Sequence, residues 1–189
     1  MDLGHKTRCF IAINLPQNVK DYLAKIIDLL KSNNKDLPIK WVNETGIHLT
    51  LHFLGYLNET GVEKVKEIME KTVNKYSKTK LCLTDLGGFP NLKKPRVIFV
   101  GNQEISAKNI LYELRRELGA LLIPLGVEID DRPWQMHLTL ARLNYPFEFN
   151  LPDLKIDKIN FTIESIDLMK SELSRAGAKY SVIEKFNLL

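Results

Sequence analysis

His48-Leu49-Thr50-Leu51 recurs further along the chain as His137-Leu138-Thr139-Leu140. Each tetrapeptide reads as part of a strand. In an extended chain successive side chains point to opposite faces, so a histidine and a threonine share one face and two leucines share the other. Two strands therefore each bury a leucine pair and display an imidazole and a hydroxyl. The chain has only four histidines, and two of them stand in this repeat.

Reading outward from the two copies gives each the same surroundings. Arg8–Ile13 (RCFIAI) reads as a buried strand, and Pro16 opens a helix running to about Lys31. Val19, Tyr22, Leu23, Ile26, Ile27 and Leu30 form its apolar stripe, and proline is well tolerated in a first helical turn. Ile47–Leu54 is the first motif strand, closed by Gly55. A second amphipathic helix is expected near Thr60–Tyr76, then a strand over Lys80–Leu86 that ends in the turn Gly87-Gly88-Phe89-Pro90-Asn91. Arg96–Gly101 (RVIFVG) is the next strand. A third helix spans about Ser106–Leu122, with Ser106 as its N-cap and Ile110, Leu111, Leu114, Leu118 and Leu121 as its stripe. Ile123–Asp131 reads as irregular or a short strand, Met136–Leu143 as the second motif strand, and Asn160–Met169 and Lys179–Leu188 as two late strands. His48 lies 40 positions after Arg8, and His137 lies 41 positions after Arg96, with one amphipathic helix in each interval. The pattern is that of a duplicated strand–helix–strand unit, in which a pseudo-two-fold brings the two His-Thr faces together. A period of eighty-nine residues suits two lobes of one domain rather than a solenoid.

Composition sets the bounds. A chain of 189 residues, 44% hydrophobic and 26% charged, fits one soluble domain with a sizeable core, read here as residues 1–189. The formal net charge of +4 is compatible with a phosphate-bearing ligand but is no argument for one. The only cysteines, Cys9 and Cys82, lie in apolar runs without metal-ligand spacing, as buried thiols of a reducing compartment do. No apolar stretch reaches membrane-spanning length and no signal-peptide pattern opens the chain, so it reads as cytoplasmic. No surface pattern announces an oligomer, and a monomer is the default.

Histidine titrates near neutrality, so a pair supplies one base and one acid at the same pH. Opening a cyclic phosphodiester needs that pair: one imidazole takes a proton from water while the other protonates the departing ribose oxygen. Threonine hydroxyls two residues on are suited to hold phosphoryl oxygens while charge builds there. No cofactor is required. Two other readings stand beside this one. The motif is a half-buried polar pair without chemical consequence, or His48, His52 and His137 hold a zinc ion, although neither a cysteine nor a convincing carboxylate completes that set.

The two His-Leu-Thr-Leu motifs, with the runs His48–Gly55 (HLTLHFLG) and His137–Arg142 (HLTLAR), resemble the 2H phosphoesterase superfamily, and within it the RNA 2′,3′-cyclic phosphodiesterase family, also called 2′-5′ RNA ligase. RCFIAINLP, the central GGFPN followed by RVIFVG, and Ser171-Glu172-Leu173 with Tyr180 fit its layout, so the likeness covers nearly the whole chain. It implies a bilobal α+β fold of pseudo-two-fold duplication, with two mainly antiparallel sheets facing a central cleft and helices packed outside. It implies hydrolysis of RNA or nucleotide 2′,3′-cyclic phosphates to 2′-phosphomonoesters, and reversible 2′-5′ ligation of RNA ends. Carried onto this chain, it makes His48 and His137 the acid–base pair, with His137 the base and His48 the acid, and Thr50 and Thr139 the phosphate holders. A non-catalytic module that binds RNA ends in the same cleft, and a metal-dependent hydrolase, are the competing functions.

Further positions invite attention. Arg142 suits a phosphate, yet on a regular strand it lies opposite His137 and reaches the site only if the strand bends, bulges or ends. Its counterpart in the first motif is Phe53. His52 shares the His48 face at regular spacing and reads as cleft-lining or structural; its counterpart is Ala141. Phe89 is the preferred aromatic for stacking a base, ahead of Trp41 and Trp134. Met136 stands where the family commonly has proline. Lys93, Lys94 and Arg132 are candidates for a basic rim, and His5 reads as exposed.

Overall fold

The computed structural model describes residues 6–101, 110–130, 132–152, 154, 156–174 and 177–189. Ser106 and His5 lie outside them. Among the described residues three α-helices and ten strands follow in the order β1 (Thr7–Asn14), α1 (Gln17–Ser32), β2 (Ile39–Trp41), β3 (His48–Leu57), α2 (Glu59–Val73), β4 (Thr79–Leu83), β5 (Asp85–Phe89), β6 (Val97–Gly101), α3 (Ile110–Leu122), β7 (His137–Leu143), β8 (Ile159–Ile163), β9 (Ser165–Ser174) and β10 (Gly177–Asn187).

The helices form where apolar spacing predicts. In α1 Val19, Leu23, Ile26, Ile27 and Leu30 are buried, and Pro16, just ahead of the first turn, accepts the amides of Val19 and Lys20. In α2 the Asn58 side chain caps the first turn by accepting the Gly61 amide at 2.9 Å. The stripe of α3 is shifted by one residue at its end, because Leu122 is buried and Leu121 is 42% exposed.

All paired strands are antiparallel. One large sheet runs β10-β9-β1-β3-β7-β6-β5, with β2 on the free flank of β7, and β4 and β8 form a separate two-stranded sheet. The large sheet consists of two four-stranded halves, β10-β9-β1-β3 and β7 with β2, β6 and β5. They adjoin at one registered pair, Leu49 with Leu138. Strand β1 stands to β3 as β6 stands to β7, which is the expected pseudo-duplication in a mixed α+β fold. The leucines of both motifs, Leu49, Leu51, Leu138 and Leu140, sit with the helix stripes in a single core, each at most 2% exposed. Truncating any one of them to alanine removes about 2–5 kcal/mol of packing.

Two expected strands are broken. Lys80–Leu86 divides at Thr84 into β4 and β5, and Asn160–Met169 divides at Glu164 into β8 and β9. In each case the chain leaves the small sheet for the large one, and the freed backbone groups pair across the break: Thr84 donates to the Gly101 carbonyl and Leu188 to that of Glu164. The apolar pattern runs through both breaks, so periodicity alone does not mark them. Gly87-Gly88-Phe89, expected as a turn, is the end of β5, paired with Phe99, Ile98 and Val97 of β6.

Candidate active site

Registry centres the site on the Leu49–Leu138 pair. With those leucines directly opposed in antiparallel strands, His48 faces Thr139 and Thr50 faces His137 on the adjoining positions. All four side chains lie on the face that the helices leave open, and all four are half-buried. Among the described residues neither threonine hydroxyl has a hydrogen-bond partner, so both remain available to a ligand.

Each imidazole is held the same way. His48 Nδ1 lies 2.8 Å from the Gly46 carbonyl, and His137 Nδ1 lies 2.7 Å from the Gln135 carbonyl. A carbonyl only accepts, so Nδ1 carries the proton in both rings and Nε2 is left for chemistry. Two aromatic rings flank each imidazole. Phe10 and Tyr180 stand beside His48, each with its ring centroid 4.9 Å away. Phe89 and Phe99 stand beside His137, at 5.2 and 5.4 Å.

Burial pushes the His48 pKa down to about 4, and Arg142, Lys20 and His137 add to the shift against the opposing Gly46 carbonyl. Burial lowers His137 too, with Arg142 adding to it and the Gln135 carbonyl opposing. Both shifts favour the neutral ring at pH 7. The stability consequence has a definite sign. An unfolded histidine takes its proton near pH 6.5, whereas folded His48 does so near 4. Between those values the unfolded chain binds more protons, and stability falls as the pH is lowered through that window. His48→Gln is expected to recover up to about 2–3 kcal/mol of that loss at pH 4.5. Urea midpoints of both proteins at pH 7 and 4.5 measure it; an equal acid loss in both contradicts it.

The sequence leaves open how Arg142 reaches this face, and a bulge supplies the answer. Ala12 pairs with Thr50 and Ile11 with His52, so Leu51 is an extra residue in β3. Phe99 pairs with Thr139 and Ile98 with Ala141, so Leu140 is the matching extra residue in β7. An inserted residue reverses the alternation beyond it. Arg142 thereby comes round to the face of His137 and Thr139, where its charge acts on both imidazoles. The equivalent turn in β3 brings Phe53 to the same face, 61% exposed.

The bulge has the opposite effect on His52. Regular alternation puts it on the face of His48, as a cleft-lining or structural residue; the structure turns it inward, 4% exposed, with Nε2 donating to the Arg115 carbonyl of α3 at 2.7 Å. Gly119 of α3 makes room for it, since a Cβ there would stand 3.2 Å from its Cε1. His52 therefore lies away from the face that carries His48 and His137, the other two histidines of the zinc reading.

The residues that fix the first bulge were not legible as a group. Leu51 is out of the ladder, and its carbonyl accepts from Arg115 Nε at 3.0 Å; the Thr50 carbonyl accepts from Trp134 Nε1 at 3.2 Å. Arg115 lies over the Trp134 ring, and Tyr112 packs against that ring and donates to the Trp134 carbonyl. Trp134 is thus tied down as a support for β3, not free to stack a base. Trp41 packs partly buried against the core. At the second bulge the Val42 amide donates to the Leu140 carbonyl.

Phe89 is in the site. It stacks on Phe99 at 4.4 Å and, with Phe99, Gly87, Leu92, Gln135 and Met136, lines a cavity of about 550 Å³ next to His137. Gly87 admits the Phe99 ring, which lies 2.4 Å from where a Cβ would be. Lys93 and Lys94 are exposed, and Arg132 pairs with Asp130, so its charge is engaged locally.

The chain belongs to the LigT-like phosphoesterase family, whose model matches residues 13–99 and 104–180. A protein of Methanocaldococcus jannaschii named RNA 2′,3′-cyclic phosphodiesterase is 33% identical, over 95% of this chain and 99% of its own length. One of the same name from Methanothermobacter thermautotrophicus is 27% identical over 97% of this chain and its whole length. Among solved structures, a crystal structure titled as a phosphoesterase superposes with a TM-score of 0.82 at 22% identity, covering 97% and 99% of the two chains. Escherichia coli LigT in complex with 3′-AMP gives 0.76 at 20%, with the same coverage.

Proposed function

We propose that this chain hydrolyses 2′,3′-cyclic phosphates of RNA ends or nucleotides to 2′-phosphomonoesters, with His48 and His137 as acid and base and with no metal. One observation carries the reading: among the described residues, two imidazoles with Nδ1 anchored to backbone and Nε2 without a partner meet two threonine hydroxyls without a partner on one open face. The names of the relatives support the substrate class.

His137 Nε2 takes a proton from water as the water oxygen bonds to phosphorus. The bond from phosphorus to the ribose 3′-oxygen breaks, and His48 Nε2 delivers its proton to that oxygen; the 2′-ester bond is kept. Thr50 and Thr139 donate to the non-bridging oxygens, and Arg142, further along the same face, adds only a longer-range positive potential. Placing the acid at His48 follows the family resemblance and sets a requirement. A ring whose pKa is pushed down to about 4 holds a proton at neutral pH only when a bound phosphate anion stabilises it. A 5′-hydroxyl in place of water gives 2′-5′ ligation by the same transfers.

Both halves of the site come from one chain, which supports a single-domain monomer. Among the described residues no helix is long and apolar enough to cross a membrane, and both cysteines are free, which suits a cytoplasmic RNA enzyme. A zinc site is disfavoured because His52 is committed beneath α3. A module that only binds RNA ends has no use for two free Nε2 atoms.

The test is an oligoribonucleotide with a 2′,3′-cyclic phosphate end, incubated with the protein in EDTA, with and without a 5′-hydroxyl acceptor. Ring opening in EDTA supports the reading. Binding without turnover gives the non-catalytic module, and activity restored only by zinc gives the metal-dependent hydrolase.

A further inference from the structure

The three-residue strand β2 runs along β7 so that Lys40 lies directly opposite Arg142. Both are exposed, and directly opposed residues of antiparallel strands point to the same face, with Cβ atoms about 4.5–5.5 Å apart. Like charges so placed destabilise a sheet unless something neutralises them. Among the described residues neither side chain has an ion pair or hydrogen bond to an acidic group. The Leu140 bulge is what turns Arg142 to the catalytic face, and β2, held through the Val42 amide on the bulge carbonyl, sets Lys40 beside it. Three residues along β7, one absorbed by the bulge, separate Thr139 from Arg142. That is about 7–10 Å at the usual strand rise, a distance one extended nucleotide spans.

We propose that Lys40 and Arg142 form a second anion subsite, which takes the phosphate on the 5′ side of the ribose that carries the cyclic phosphate. This rests on the reading of the catalytic face above and adds a substrate preference: ends with a 5′ phosphate group are taken over bare nucleoside cyclic phosphates. The shared chemistry is a phosphate anion one nucleotide away, supplied by an internal RNA phosphodiester or by a free 5′-phosphate. A charge-assisted contact to such a group has the size of about a tenfold effect on affinity.

The experiment measures equilibrium binding of three inert products: uridine 2′-phosphate, uridine 2′,5′-bisphosphate, and the dinucleotide UpU with a 2′-phosphate end. About tenfold tighter binding of either or both of the last two, lost in Lys40→Glu, supports the subsite. The bisphosphate gaining alone assigns it to a terminal 5′-phosphate, and the dinucleotide gaining identifies RNA. Equal affinity for all three ligands, or a Lys40→Glu loss of the same factor on all three, overturns it. Because none of the three turns over, failure of the hydrolytic reading shows separately, as a protein that binds with this preference yet opens no cyclic phosphate.

Discussion

Replacing His48 or His137 with alanine is expected to lower kcat/KM for a nucleoside 2′,3′-cyclic phosphate by about 10²–10⁴-fold in each case. In the proposed mechanism the two rings do different jobs in one event, since one proton leaves the nucleophile as another reaches the leaving oxygen. The double variant is therefore expected to fall little further than the worse single one, as residues that act as a unit do. Both rings are half-buried among aromatics, and each donates to a backbone carbonyl two residues earlier in the chain. Circular dichroism should show the fold retained. Full activity in either variant, or strictly multiplicative losses in the double one, would contradict a shared acid–base pair.

The second large effect is expected at the threonines. Thr50→Val and Thr139→Val keep side-chain shape and strand preference and remove only a hydroxyl. If those hydroxyls hold the phosphoryl oxygens as charge builds, each loss costs about 10²–10³-fold, mostly in kcat. The carbonyl of Thr50, not its hydroxyl, is what Trp134 holds, so the valine leaves the support of the bulge in place. A rise in KM with kcat unchanged would assign the hydroxyls to ground-state binding alone.

The alternation rule of strands placed His48, Thr50, His137 and Thr139 on one face and their leucines in the core, and the structure has them there. The same rule fails one residue later. It predicts His52 in the cleft and Arg142 away from it, and both are reversed by the bulges at Leu51 and Leu140. A bulge is a choice made by neighbours distant in sequence, here Arg115 and Trp134 at one copy and Val42 at the other. No local signal in HLTLHF or HLTLAR announces it. Strand β2 escaped for a related reason: three residues with no periodicity of their own are a strand only because the flank of β7 is free. The breaks at Thr84 and Glu164 were hidden by apolar patterns that continue across them. Phe89 was legible as an aromatic near the site, but its pairing with Phe99 depends on the register of β5 on β6.

The asymmetry between the motif copies gains a physical meaning from the bulges. Equivalent positions on the face of the two histidines carry Phe53 in one half and Arg142 in the other, so an apolar ring stands at one end of the candidate site and a cation at the other. A pseudo-symmetric pair of imidazoles is thereby set in a polar environment with a direction.

Product regiochemistry tests the central claim most directly. A dinucleotide ending in a 2′,3′-cyclic phosphate is treated with the protein in EDTA and followed by phosphorus NMR. A single product, the 2′-phosphomonoester, is expected, formed by wild type and lost in both His48→Ala and His137→Ala. A 3′-phosphate, a mixture of the two esters, or turnover that survives either substitution would contradict it.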